Sequence, residues 1–293
     1  MLYTIENDFL KVDVNDEGAQ MMSLVGKKTG FEYLWQGDPT FWASRATVLF
    51  PICGRLTDGK YTYDGNTYEM ILHGFAKLST FTVIAHNREA ITLELRATEE
   101  SRKIYPFDFA LRMTYALDGA SVKTAFEVEN PSEPDLPFSV GGHPGFNVPF
   151  CSGETFEDYY LEFACRKECR RLIMSPTCYY TGETAPMELE DGKILRLRHS
   201  LFDDDAIFLE GMCKTVSLKS EKNNRAITVT WDDMTHVGFW HKPKTEAPYV
   251  CIEPWHGVPA YDQKIDDFAT KNEFMHLAKG EKKNISFTVT VTE

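Results

Sequence analysis

The sequence predicts an all-β protein, a large antiparallel β-sandwich with minor helix, and three patterns lead there. The first is alternation with a period of two. Val122, Thr124, Phe126 and Val128 point one way while Lys123, Ala125, Glu127 and Glu129 point the other, as a strand with one buried face requires. Leu111/Met113/Tyr115/Leu117, Ile227/Val229/Trp231 and Ile285/Phe287/Val289/Val291 repeat the pattern. The second is turn chemistry: Asp64-Gly65 and Asp118-Gly119 read as tight hairpin turns, which join antiparallel neighbours. The third is the lack of sustained helical spacing between capping signals. The best helical candidate, Arg96 to Ile104, is short and mostly polar.

Residues 1–293 read as a single β-sandwich domain. The length exceeds one typical domain, but all-β domains of roughly 200–250 residues are common. The proline-rich stretch Pro131-Ser132-Glu133-Pro134-Asp135-Leu136-Pro137 has the composition of a linker, yet hydrophobic alternation resumes on both sides without a shift in charge, so it reads as a loop. No repeat at a fixed period stands out.

A net charge of -13 with no Lys/Arg stripe argues against nucleic acid, whose phosphates such a surface repels. No apolar run approaches the ~18 residues of a membrane span, and Met1-Leu2-Tyr3-Thr4-Ile5-Glu6-Asn7-Asp8 is not a basic segment followed by an apolar one. A cytoplasmic protein with neither nucleic acid nor membrane as partner is expected. Its 7 cysteines are odd in number and form no CxxC pair, so reduced thiols are expected rather than a disulfide framework or a zinc knuckle.

Three short motifs carry the chemistry: Leu72-His73-Gly74-Phe75, Gly141-Gly142-His143-Pro144-Gly145-Phe146-Asn147 and Ile252-Glu253-Pro254-Trp255-His256-Gly257. The glycines and prolines suggest sharp turns at strand ends, where a scaffold presents reactive side chains to a cleft. Glu253 follows the apolar run Tyr249-Val250-Cys251-Ile252 and precedes a proline, so it is expected to emerge as a strand ends. A carboxylate partly desolvated beside Trp255 has its pKa lifted toward the range of a general base. Histidine titrates near neutrality, so His143 suits a proton donor. Trp255, Phe75 and Phe146 beside these polar groups suit a pocket that stacks on sugar C–H faces. His86, His199, His236, His241 and His276 lack such flanks and read as surface or structural residues.

These motifs, taken in order, resemble the aldose 1-epimerase (galactose mutarotase) family. Further resemblance lies in Pro51-Ile52-Cys53-Gly54-Arg55-Leu56-Thr57-Asp58-Gly59-Lys60-Tyr61-Thr62-Tyr63-Asp64-Gly65, similar to that family's Gly-Arg…Gly-Lys…Asp-Gly signature. A fifth element is Leu201-Phe202-Asp203-Asp204-Asp205-Ala206-Ile207-Phe208, with Asp205 at the family's sugar-binding aspartate. Pro144 and Gly145 after His143, and Pro254 after Glu253, depart from the better-studied mutarotases and resemble a LacX-like branch. The resemblance implies a galactose mutarotase-like supersandwich and interconversion of the α and β anomers of a hexose. It makes Glu253 the base that takes the C1 hydroxyl proton and His143 the acid that protonates the ring oxygen. His73, Arg55 and Asp205 would hold the ring oxygen and hydroxyls, with Trp255, Phe75 and Asn147 completing the sugar-binding set. No cofactor or metal is expected, because every step is a proton transfer.

Other readings stay open. Glu253 and His256 could supply two ligands of a metal-dependent sugar isomerase, and aromatic residues on a β-sandwich also suit a non-catalytic carbohydrate-binding module. Arg45 could add positive charge for a sugar phosphate, as in a hexose-6-phosphate mutarotase, whereas the acidic balance leans to neutral sugars. The sequence leaves open the preferred aldose and the choice between monomer and homodimer.

Overall fold

The computed structural model describes residues 1–293. Two large antiparallel sheets dominate. The nine-stranded sheet runs, in spatial order, Ile194–Arg196, Tyr159–Phe163, Thr215–Ser220, Ala226–Trp231, Lys282–Thr292, Ser121–Glu129, Ala110–Asp118, Ala90–Arg96 and Thr82–His86. The seven-stranded sheet runs Tyr180–Pro186, Arg170–Met174, Ile207–Glu210, His236–Trp240, Tyr249–His256, Val140–Asn147 and Ala46–Leu49. Three small sheets complete the fold. One contains the sole parallel ladder, Asp266–Asp267 beside Lys60–Tyr63.

The alternation read from sequence is the packing pattern. Val122, Thr124, Phe126 and Val128 are buried while the residues between them are not. Val122, Phe126, Phe287 and Val289 of the large sheet share one core of 67 buried residues with Val48, Val140, Phe146, Val237, Phe239, Val250 and Ile252 of the smaller one. Contact between the sheets is close: a Cβ on Gly142 would stand 2.4 Å from the Phe287 ring.

The hairpin signals hold with one shift. Asp64 (φ 48°) and Gly65 (φ 73°) join Tyr63 to Asn66, as a two-residue turn with both central residues left-handed requires. At the other hairpin Asp118 pairs with Ser121, so the turn residues are Gly119-Ala120, one position later than expected. The one α-helix, Glu99–Ile104, starts at Thr98, which exchanges capping hydrogen bonds with Ser101. The proline-rich stretch leads into Leu136–Phe138, which pairs with Met275–Leu277.

Two expectations are corrected. Cys165 and Cys213, 48 residues apart with Cα atoms at 6.0 Å, form a disulfide, and only the other five cysteines are free thiols; sequence spacing carries no information about which thiols tertiary packing brings together. His143 and Glu253 do not lie at strand ends. They sit within Val140–Asn147 and Tyr249–His256, eight-residue strands each flanked by a strand on both sides and buried at all but their last residue. Proline is tolerated there because the ladder between these two strands lapses at that point, as shown below.

The Leu72-His73-Gly74-Phe75 motif is a true turn. His73 (φ 65°) and Gly74 (φ 72°) are both left-handed, and a Cβ on Gly74 would lie 2.1 Å from the Phe50 carbonyl oxygen, a backbone atom that cannot swing away. Gly74→Ala therefore meets backbone strain and overpacking together, about 3 kcal/mol. The expected result is a lowered Tm by calorimetry, at about 2–4 °C per kcal/mol for a chain of this size; an unchanged Tm would contradict this packing.

Candidate active site

The seven-stranded sheet buries one face in the sandwich and presents the other to a cavity of about 330 Å³, within the roughly 300–1,000 Å³ usual for small-molecule sites. Strand alternation sorts the residues of Tyr249–His256. Val250 and Ile252 enter the main core, while Tyr249, Cys251, Glu253 and Trp255 face the other side.

Pairing register brings acid and base together. Val140 pairs with His256 and Gly141 with Trp255; pairing then stops and resumes with Gly145 opposite Cys251. The same register sets His143 directly across from Glu253 in the gap between. Pro144 and Pro254 stand in that gap and have no N–H to donate, so the interrupted ladder leaves no orphaned donor at either proline. On the outer flanks Thr47 pairs with His143, Gly238 with Glu253 and Phe208 with Gly238. One transverse row across five strands thus reads Thr47, His143, Glu253, Gly238, Phe208. Gly238 has no side chain to separate Glu253 from Phe208.

His143 Nε2 lies 3.3 Å from Glu253 Oε2, with the two residues 8% and 2% exposed. His143 Nδ1, Glu253 Oε1 and Trp255 Nε1 are buried with no protein partner. Three unpaired polar atoms at one cavity floor would be costly in a closed core, and they are the groups a polar ligand would satisfy. Burial, then the charge of Asp205, pushes the Glu253 carboxyl well above its ordinary 4.5. Burial above all, with Lys77 adding to it, holds His143 down to about 3. Both shifts favour the uncharged forms, so a proton shared by the pair rests by preference on the Glu253 side.

Trp42 stacks on the His143 ring with centroids 4.8 Å apart, and Trp240 meets it edge-on at 5.7 Å. The Gly54 N–H donates to His73 Nδ1 at 3.0 Å, so the neutral ring carries its proton on Nε2. Burial, followed by His143, Lys77 and Arg55, holds His73 well below its ordinary 6.5, making it a fixed neutral donor. Asp205 Oδ1 accepts from Trp240 Nε1 at 2.8 Å, and Oδ2 lies 3.4 Å from Arg55 Nη2. Arg55 also donates to the Thr177 carbonyl. Trp255 meets His73 edge-on at 5.5 Å and leans on Phe208.

The aldose 1-epimerase family profile matches residues 1–289. The chain belongs to that family. It is 34% identical over 272 residues to the chromosomal protein LacX of Lactococcus lactis, covering 88% of each chain. Among solved structures, a galactose mutarotase related enzyme from Lactobacillus acidophilus superposes with a TM-score of 0.95 at 37% identity, covering 100% of this chain and 98% of the other. A galactose mutarotase-like protein from Lactobacillus casei gives 0.94 at 29% identity, with full coverage of both chains. The sandwich described above is thus a galactose mutarotase-like fold.

Of the family-derived candidates, Glu253, His143, His73, Arg55, Asp205 and Trp255 all line the cavity. Phe75 and Asn147 do not, and are corrected. After the turn at Gly74, Phe75 packs among Phe50, Tyr105 and Phe109. Asn147 lies four residues along the strand from His143 and donates to the Glu32 and Leu34 carbonyls. Phe146, three residues from His143, faces the opposite side of the strand and enters the core. Strand parity likewise turns His256 away from Glu253; its Nδ1 meets the Asp233 carbonyl, so these two cannot share a metal. Arg45 bonds to the Met22 carbonyl and Gln36 and brings no charge to the cavity. A different donor set, His143, Cys251 and Glu253, has ligand atoms within 4.8 Å of one another. Without an ion, burial pushes the Cys251 thiol well above its ordinary 9.0.

Trp42, Trp240 and Lys77 also line the cavity and escaped sequence reasoning. None sits in a punctuated motif, and the proximity of Trp42 and Trp240 to His143 arises only from strand pairing and loop closure.

The sign of the Glu253 shift gives a stability prediction. A carboxyl raised in the folded state contributes stability that is fully present below about pH 4.5 and lost as pH rises toward the folded value. Glu253→Gln keeps the shape without the titration. Its Tm relative to wild type should be unchanged near pH 4 and higher by a few degrees at pH 7; a variant less stable at pH 7 than at pH 4, relative to wild type, would contradict the assignment.

Proposed function

We propose that the protein is a mutarotase that interconverts the α and β anomers of an aldohexose by acid/base ring opening and closure. The observation that carries this reading is the buried cross-strand pair, Glu253 and His143, in contact at 3.3 Å with one open polar atom each. A hemiacetal needs a proton removed from O1 and one delivered to the ring oxygen, two atoms bound to the same carbon. Acid and base must therefore stand within a few ångströms of each other.

A sugar in the cavity places hydroxyl donors against Glu253 and a ring-oxygen acceptor against His143, which favours the carboxylate–imidazolium arrangement of the shared proton. Glu253 takes the O1 proton, His143 gives its proton to the ring oxygen, and the C1–O bond breaks to leave the open-chain aldehyde. Rotation about C1–C2 presents the other carbonyl face. On closure neutral His143 takes the proton back from the attacking hydroxyl and protonated Glu253 returns one to O1. No proton is gained or lost over the cycle, and no cofactor enters it. His73 Nε2–H, Arg55 and Asp205 hold the sugar oxygens, and Trp255 and Trp42 offer apolar faces to its C–H groups.

Polarimetry on freshly dissolved α-D-glucose or α-D-galactose tests the reading. Wild type should accelerate the change well above the spontaneous rate, in the presence of EDTA as well as without it. Glu253→Gln and His143→Gln should each lose about 10²–10⁴-fold. A protein that leaves the spontaneous rate untouched is a carbohydrate binder, and loss of rate to the chelator would identify a metal enzyme.

The shared proton also shapes the pH profile. Independent groups at ordinary values would confine activity between about 4.5 and 6.5. With His143 held at about 3 and Glu253 raised, the singly protonated pair persists on both sides of that window. The value of kcat/KM, corrected for the spontaneous rate, should hold below pH 4.5 and fall only in more acid solution. Its alkaline limb should follow the loss of the shared proton. An acid limb at or above pH 4.5 would show that the groups titrate independently.

A further inference from the structure

One wall of the cavity carries polar groups that ring opening leaves unused. Lys77 lies four residues after His73, in the 3-10 turn Ala76–Leu78 that packs beside the Ala46–Leu49 strand. It lines the cavity, is half-buried, and meets neither a carboxylate nor any other acceptor. Thr47 of that neighbouring strand and Ser44, two residues before it, also line the cavity, and their hydroxyls have no protein partner. The other cation, Arg55, is occupied by Asp205, so Lys77 is the unneutralised charge. A half-buried ammonium beside two idle hydroxyls is the donor set of an anion site.

The chain as a whole is at -13, which opposes anions at long range, but screening over about 8 Å at physiological salt confines that field. Within the cavity the contact charges decide. The register sets Thr47 beside His143 on the side away from Glu253, and the turn that carries Lys77 packs against that same outer strand. The cation therefore lies toward the imidazoles, the ring-oxygen end of the sugar, and away from O1.

Resting on the ring-opening reading above, we propose that the cavity takes a hexose bearing an anionic group at C6, the carbon attached beside the ring oxygen, held by Lys77 with Ser44 and Thr47. A 6-phosphate and a uronate carboxylate share this chemistry, and the experiment separates them. Exchange NMR of the anomeric protons gives kcat/KM above the spontaneous rate for glucose, galactose, their 6-phosphates, glucuronate and galacturonate. Wild type should favour one anionic class over the free hexose at least tenfold. Lys77→Met, which keeps the apolar stem, should lower that anionic-to-free ratio at least tenfold, chiefly through KM, and Lys77→Arg should retain most of it. Acceleration of free hexoses by wild type with the ratio unmoved in Lys77→Met overturns the anion site while leaving the mutarotase reading standing. No acceleration of any of these sugars overturns both.

Discussion

The arrangement depends on one contact, the buried approach of the Glu253 carboxyl to the His143 imidazole. Both groups lose most of their hydration, and in such surroundings each resists its charged form. Glu253 is most at ease protonated and His143 most at ease neutral, so a single proton serves the pair across their 3.3 Å contact. The ordinary values work against that state in the unfolded chain: below 6.5 a free histidine takes a proton, and above 4.5 a free glutamate loses one. The folded pair is therefore held by its surroundings at the expense of stability, as functional sites commonly are.

What holds it is the sheet. Two adjacent antiparallel strands set the residues as cross-strand neighbours, with Cβ atoms about 4.5–5.5 Å apart, and the side chains only have to lean together. Pro144 and Pro254 remove two N–H groups where the ladder lapses. Thr47 and Gly238 on either side leave room above the row, and Trp42 and Trp240 box the imidazole from the open side. Gly141, Gly142, Pro144, Gly145 and Pro254, which suggested turns, belong instead to strand positions where close approach and missing donors are needed.

The fold was legible because alternation reports burial directly: the strands around Val122, Met113, Val229 and Phe287 lie where their periodicity put them. The site was legible only through its punctuated motifs. Glu253, His143, His73, Arg55, Asp205 and Trp255 converge on one cavity. Adjacency in a motif misled wherever strand parity or a turn intervened: His256 and Phe146 lie three residues from their reactive neighbours and face away, and Phe75 lies beyond a left-handed turn. Lys77 and the pairing of Cys165 with Cys213 gave no local signal, because both depend on which distant segments pack together.

The geometry suits a reaction that must run equally well in both directions. In the proposed cycle acid and base exchange protonation states twice, and an enzyme for a near-balanced equilibrium gains nothing from a strong acid or a strong base. Burial raises the proton affinity of the carboxyl and lowers that of the imidazole, so one proton can pass between the two neighbours in either direction of the reaction. Because both sit on paired strands within the sheet, the exchange requires no movement of the backbone. Rotation about C1–C2 is then the only large motion left, and it belongs to the sugar. A pair on mobile loops would have to rebuild its distance at each half-cycle, whereas here the ladder on both sides of the gap fixes it beforehand.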